Sequence, residues 1–150
     1  MQLHNIFYYD PPDPDMLIRI QDEPIDYGGL IEKLRNESVG AIVSFLGTVR
    51  NTSINLRVSG LEYSSYREMA LKMMGEIADE AVEKFGIKDY AIVHRMGRLN
   101  LKEDSVAVCV ASPHRKEGFR ACEFIIDSIK EKVPIWKKDI VEGGEEKWRD

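Results

Sequence analysis

Apolar positions along this chain follow two different periods. Between Tyr66 and Phe85 they fall at Met69, Met73, Ile77 and Ala81, with Ala70, Met74 and Phe85 beside them. That is the spacing of one helix face, and it predicts a helix over 66–85 in which the methionines fill core space. Gly86 follows as its stop, since glycine takes left-handed backbone without a Cβ penalty. A second stripe, Phe119, Cys122, Ile126, Ile129 and Val133, predicts a helix from about Pro113 to Lys132. Ser112 is suited to cap it, Pro113 to open it, and Pro134 ends it. A shorter helix is predicted from about Asp26, in DYGGLIEKLRN.

Elsewhere the pattern is that of strands. GAIVSFLGTVR, Gly40 to Arg50, is an apolar β-rich run of the buried kind. RVSGLEYSSY, DYAIVHRMG and SVAVCVASP read as further strands, the last two joined by a tight turn around Lys102 to Asp104. PPDPD, Pro11 to Asp15, reads as a turn between the extended pieces LHNIFYY and MLIRI, and NTSINLRVSG as polar and turn-forming. Strands and helices mix without strict βαβ alternation, and several strand links are short. The expectation is one α+β domain over residues 1–150 with a mixed, largely antiparallel sheet.

Composition narrows the function classes. No apolar run approaches the roughly 20 residues that span a bilayer, and the first fifteen residues lack the basic and apolar regions of a signal peptide. A cytoplasmic protein without membrane contact is expected. Cys109 and Cys122 lack C-x-x-C spacing and sit in apolar company, so both are expected as free buried thiols. His4, His94 and His114 are scattered without a ligand motif, and no metal is expected. A net charge of −5 and no interleaving of aromatic and basic residues argue against nucleic acid.

Charge is unevenly spread, however. From Pro113 to Lys138 seven lysines and arginines stand against four acids, a local +3 that leaves −8 for the rest. Such an island suits a small anionic ligand better than a polyanion. At its start, His114, Arg115 and Lys116 follow Ser112 and Pro113 at the predicted helix N-terminus. Cations there oppose the helix dipole, at a cost that a bound anion offsets; the alternative is a tolerated surface cluster. Lys130 projects about 20° from Phe119 on a helical wheel, at the edge of the apolar face. It either snorkels to solvent or enters a partly desolvated cleft, where its amine becomes useful for acid–base or nucleophilic work. In extended PIWKK, Ile135 and Lys137 share one face and Trp136 and Lys138 the other, so one of the two lysines faces any given pocket. Arg50 closes a strand, where a long side chain can reach a crevice or simply lie at the surface.

FLGTVR, HRMGRL, ASPHRKEGF and IKEKVPIWKKD, in this order and spacing, resemble the large, catalytic subunits of molybdopterin synthases. The resemblance runs over residues 40–148 and is densest from Val93 to Asp139. It implies an α/β-hammerhead-type fold and an enzyme of molybdenum cofactor biosynthesis. Such a subunit converts precursor Z, a cyclic pyranopterin monophosphate, to molybdopterin. It takes sulfur from the C-terminal Gly-Gly thiocarboxylate of a small ubiquitin-like partner and carries no cofactor of its own. The family's assembly is a homodimer of large subunits with a small subunit at each end, a heterotetramer.

By the same motifs Lys130 and Lys137 match the family's catalytic lysines, and His114 and Arg115 its substrate-binding pair. Arg50 matches the arginine of its G-x-V-R strand end, with Thr48, Val49, Lys138 and Asp139 as flanking substrate contacts. Arg50, His114 and Arg115 are then expected on phosphate and pterin, Lys130 and Lys137 on sulfur transfer, and Lys138 at the rim. The chain departs from the pattern in having Asp139 where glutamate is common. Arg149 is its one candidate for an arginine that family members place past the tryptophan at Trp148, reaching the neighbouring subunit's site. Two other readings of the basic island remain: a non-catalytic module that binds a phospho-ligand or a partner's tail, and an enzyme on another phosphorylated heterocycle.

Overall fold

The computed structural model describes residues 17–53, 56–143 and 146–149. His4, LHNIFYY and the PPDPD turn lie outside them. Four strands form the first sheet: β1 (Ile18–Gln21), β2 (Ala41–Thr48), β5 (Asp89–Arg95) and β7 (Asp104–Ser112), in the order β1-β5-β7-β2. β1 runs parallel to β5, and the other pairs are antiparallel. Helix α1 (Tyr27–Leu34) covers one face of this sheet, and α2 (Arg67–Phe85) and α3 (Arg115–Lys132) cover the other.

Side-chain size explains the layering. In β7, Val106, Val108 and Val110 point into the cluster under α2 and α3, while Ala107, Cys109 and Ala111 point toward α1. Alternation puts these on opposite faces. The larger face meets two helices, and the small one lets α1 bring Leu30 and Leu34, each 1% exposed, close to the strands. β7 is therefore buried along almost its whole length, as its unbroken apolar run requires.

The second sheet contains β3 (Thr52–Ser53), β4 (Leu56–Ser65), β6 (Gly97–Asn100), β8 (Ile135–Val141) and β9 (Glu146–Arg149). Its central strand β4 pairs with β3, β6 and β8, all antiparallel. Chain passes from the first sheet to the second between β5 and β6, where Gly97 has φ +86°. An L-residue with a Cβ avoids that backbone, so glycine allows the strand to turn out of one sheet into the other. Gly86 ends α2 as its position predicted, with φ +69° and its N–H donating to the Val82 carbonyl at 2.9 Å.

The α+β class and the mixed, largely antiparallel pairing agree with the sequence. Two local expectations differ. Helix α3 starts at Arg115 with His114 as its N-cap, two residues later than expected. Ser112 stays in β7, paired with Ala41 and fully buried, because the sheet register holds it there. Phe119 is 62% exposed, so the buried stripe of α3 is carried by Ala121, Cys122, Ile125, Ile126 and Ile129. Cys109 and Cys122 are free and buried.

Candidate functional site

A cavity of about 480 Å³ opens where the two sheets meet the C-terminal half of α3. Its walls come from the end of β2, the middle of β4, the end of β5, the start of β7, α3 and β8. This size lies within the range of small-molecule sites.

Each cationic wall residue arrives from a different element. Arg50 lies just past the end of β2 and is exposed. Lys130 sits in the last turn of α3, one position beyond buried Ile129, so its Cβ leaves the core face at the cavity edge. Its side chain is exposed, in keeping with a snorkelling stem, yet it lines the cavity. Lys137 reaches the same space from β8 on the face it shares with Ile135, as the extended reading of PIWKK predicted. Lys138 points away from that lining: its ammonium lies 3.3 Å from Glu62 and 5.1 Å from the centre of the Trp148 ring.

The cavity's acid is Asp139, only 1% exposed, which accepts a 2.9 Å hydrogen bond from the Ser53 hydroxyl. Thr48 also lines the space, whereas Val49 is buried in a small cluster with Leu61 and Leu99. His114 and Arg115 are exposed at the opposite end of α3. At 1.5 Å rise per residue, the fifteen residues from Arg115 to Lys130 span about 22 Å, so one copy of the chain does not bring both ends to one small ligand. The Arg149 side chain lies outside the described residues; its backbone pairs with Lys137 across β8 and β9.

Among the wall residues that the sequence did not mark as functional are Tyr63, His94 and Ser105. His94 is 6% exposed, and its Nδ1–H donates to the Arg95 carbonyl at 3.0 Å. Its ring meets Tyr63 edge-on, with centroids 5.0 Å apart. Burial, with the Lys130 charge adding to it, lowers the His94 pKa to about 4 against the opposing Arg95 hydrogen bond, so its imidazole is neutral at pH 7. The Tyr63 phenol is pushed above its ordinary value, first by burial and then by the Asp139 charge, against a hydrogen bond with Ser105. Ser105 in turn donates to the Gly47 carbonyl at 3.1 Å. A signal for His94 existed: it follows Tyr90 and Ile92 on one face of an apolar strand, a polar residue where alternation demands a buried one.

The site thus offers three cations, one buried carboxylate and a neutral imidazole around a partly open volume. Such a set binds an anion and stabilises negative charge that develops during a reaction. Among the described residues, no group of three or more His, Cys, Asp or Glu is placed to hold a metal ion.

Comparison with known proteins adds to this geometry. The family model described as MoaE protein matches residues 20–132. The molybdopterin synthase catalytic subunit of Thermoplasma volcanium is 47% identical over 131 residues, covering 87% of this chain and 96% of its own. That of Bacillus subtilis is 42% identical over 127 residues, covering 85% and 81% respectively. Among solved structures, molybdopterin synthase from Staphylococcus aureus superposes with a TM-score of 0.85 at 42% identity, covering 90% of this chain and 98% of that one.

Proposed function

This chain belongs to the MoaE protein family, and on that premise we propose that it is the catalytic subunit of a molybdopterin synthase. Precursor Z is the substrate, and a small ubiquitin-like subunit ending in a Gly-Gly thiocarboxylate is the sulfur donor. The observation that carries this reading is the convergence of Arg50, Lys130 and Lys137 on one cavity beside buried Asp139.

The chemistry asks for such a cavity. Both reactants are anionic, one a cyclic phosphate and the other a thiocarboxylate. Sulfur attack on an oxygen-bearing substrate carbon joins the donor's acyl group to the substrate as a thioester, the carbon–oxygen bond breaking as the carbon–sulfur bond forms and the oxygen leaving protonated or on the phosphate. Water then cleaves the acyl–sulfur bond, leaving sulfur on the substrate and a carboxylate on the donor, and a second thiocarboxylate repeats the step to supply the other dithiolene sulfur. Arg50 holds phosphate by charge-assisted hydrogen bonds. Lys130 and Lys137 stabilise the thiocarboxylate and the oxyanion of acyl transfer, and supply protons where they are needed. Lys138, tied to Glu62, forms the rim, and Thr48 adds a hydroxyl at the mouth. Val49 supports the wall from the core side.

His114 and Arg115 fit the substrate only from a second copy of the chain, given their distance along α3. The working assembly is accordingly a homodimer with a small subunit on each large one. No described helix is long and apolar enough to cross a membrane, and the cytoplasm is the proposed location.

The experiment is a single-turnover reaction of the wild-type chain with precursor Z and a thiocarboxylated small subunit. Dithiolene product is expected, and none when the small subunit ends in an ordinary carboxylate. Partner binding without product from the thiocarboxylate would leave a binding module instead.

A further inference from the structure

His94 stands in the cavity wall with no part in the chemistry above, although its surroundings are tightly specified. Its Nδ1–H is committed to the Arg95 carbonyl at 3.0 Å, which fixes the tautomer and leaves Nε2 as an acceptor. Tyr63 packs edge-on against the ring and sets its plane. Among the described residues Nε2 has no hydrogen-bond partner, and Lys130 lines the same cavity. Lys130 is the charged side chain whose field is felt at the ring. An exposed lysine is mobile and loses rotamer entropy when confined, so holding its ammonium at one place needs an acceptor there.

We propose that His94 is the positioning residue for Lys130, its neutral Nε2 accepting a hydrogen bond from the ammonium and holding it over the cavity. The backbone supplies the proton on Nδ1, so the ring presents a lone pair and no competing charge. A charged imidazole would repel the lysine, and burial prevents that state at neutral pH. His94 thus acts through Lys130 and touches neither reactant. Its effect on sulfur transfer rests on the proposed function, while its effect on the Lys130 amine does not.

Two variants separate position from packing. In His94→Gln the side-chain amide stands near the site of Nε2, and in His94→Asn near that of Nδ1. Both are neutral and polar; asparagine, one methylene shorter, leaves the larger gap, so both readouts are taken at a temperature where urea unfolding shows each variant folded. The first readout is labelling of the free amines by trinitrobenzene sulfonate, followed peptide by peptide with mass spectrometry. Lys137, in the same cavity, is the internal reference. A hydrogen bond to a charged group suppresses the reactive amine, so His94→Asn is expected to speed Lys130 labelling about 10-fold relative to Lys137. His94→Gln is expected to stay within about threefold of wild type. The second readout is the single-turnover rate, expected to fall about 10- to 100-fold in His94→Asn with precursor Z affinity held, and to be largely kept in His94→Gln. Equal labelling of Lys130 in wild type and both variants overturns the proposal. So does equal impairment of the two variants, which would make His94 a packing residue. A labelling difference without product in any form, wild type included, would uphold the positioning role and reject the synthase reading.

Discussion

Acidification should cost this protein stability through His94 in a calculable way. Its imidazole has a pKa of about 4 in the folded chain against an ordinary 6.5, chiefly because it is buried. Above pH 6.5 both folded and unfolded states carry it neutral, and the full stability is present. Below 6.5 the unfolded chain takes up a proton that the native site refuses, so stability falls as pH falls. The loss levels off near pH 4, where the native ring is protonated as well. The slope in that window approaches about 1.4 kcal/mol per pH unit, and the whole effect is about 3 kcal/mol. Groups that face the ring are Lys130, whose charge adds to the depression, the Arg95 carbonyl, whose hydrogen bond opposes it, and the Tyr63 phenol, packed edge-on at 5.0 Å. The assay is urea unfolding of wild type and His94→Gln from pH 7.5 to 4. Carboxylates and other histidines titrate in both proteins and cancel in the difference. The two stabilities should converge by about 3 kcal/mol as pH falls. Parallel curves would refute the argument, because they would mean that His94 takes up its proton equally readily in the native chain.

Four other perturbations have definite expected outcomes. Burial pushes the Cys109 and Cys122 thiols up to about 11, so both should resist a thiol reagent at pH 8 in the native protein and react in urea, read by absorbance. Gly97→Ala meets no neighbouring atom, yet forces a Cβ onto φ +86°; thermal unfolding should show a loss of about 1–2 kcal/mol. Gly28→Ala, also free of contacts but inside α1, should instead gain up to about 1 kcal/mol. Arg50→Ala should weaken equilibrium binding of precursor Z about 10- to 100-fold, the worth of a charge-assisted hydrogen bond.

Much of this architecture was legible because burial on a face imposes a period. The α2 stripe and the β7 run were readable, and glycine at the end of α2 marked its stop. Lys137 and Lys138 were separable because a strand sends neighbours to opposite faces, and the structure places Lys137 on the cavity and Lys138 against Glu62. The start of α3 was misplaced since Ser112 and Pro113 satisfy local capping rules, whereas sheet register keeps Ser112 in β7. Phe119 belonged to the helical stripe by spacing alone, but the face that meets the sheet at this turn is that of Gly118, set against Val43 and Ser112, and Phe119 beside it turns out to solvent. Neither the short parallel pairing of β1 with β5 nor the switch of sheets at Gly97 has a local signature; both depend on contacts distant in sequence. Tyr63, Ser105 and His94 come from three strands, and their meeting is likewise a product of topology.

Sulfur transfer is proposed for the cavity between Arg50, Lys130 and Lys137. The most direct measurement separates chemistry from binding in Lys130→Ala: the single-turnover rate with thiocarboxylated partner, beside the affinities for partner and for precursor Z. A rate loss of about 10²–10⁴-fold is expected, with partner affinity kept. A wild-type rate in that variant, or a loss explained entirely by weaker binding, would contradict it.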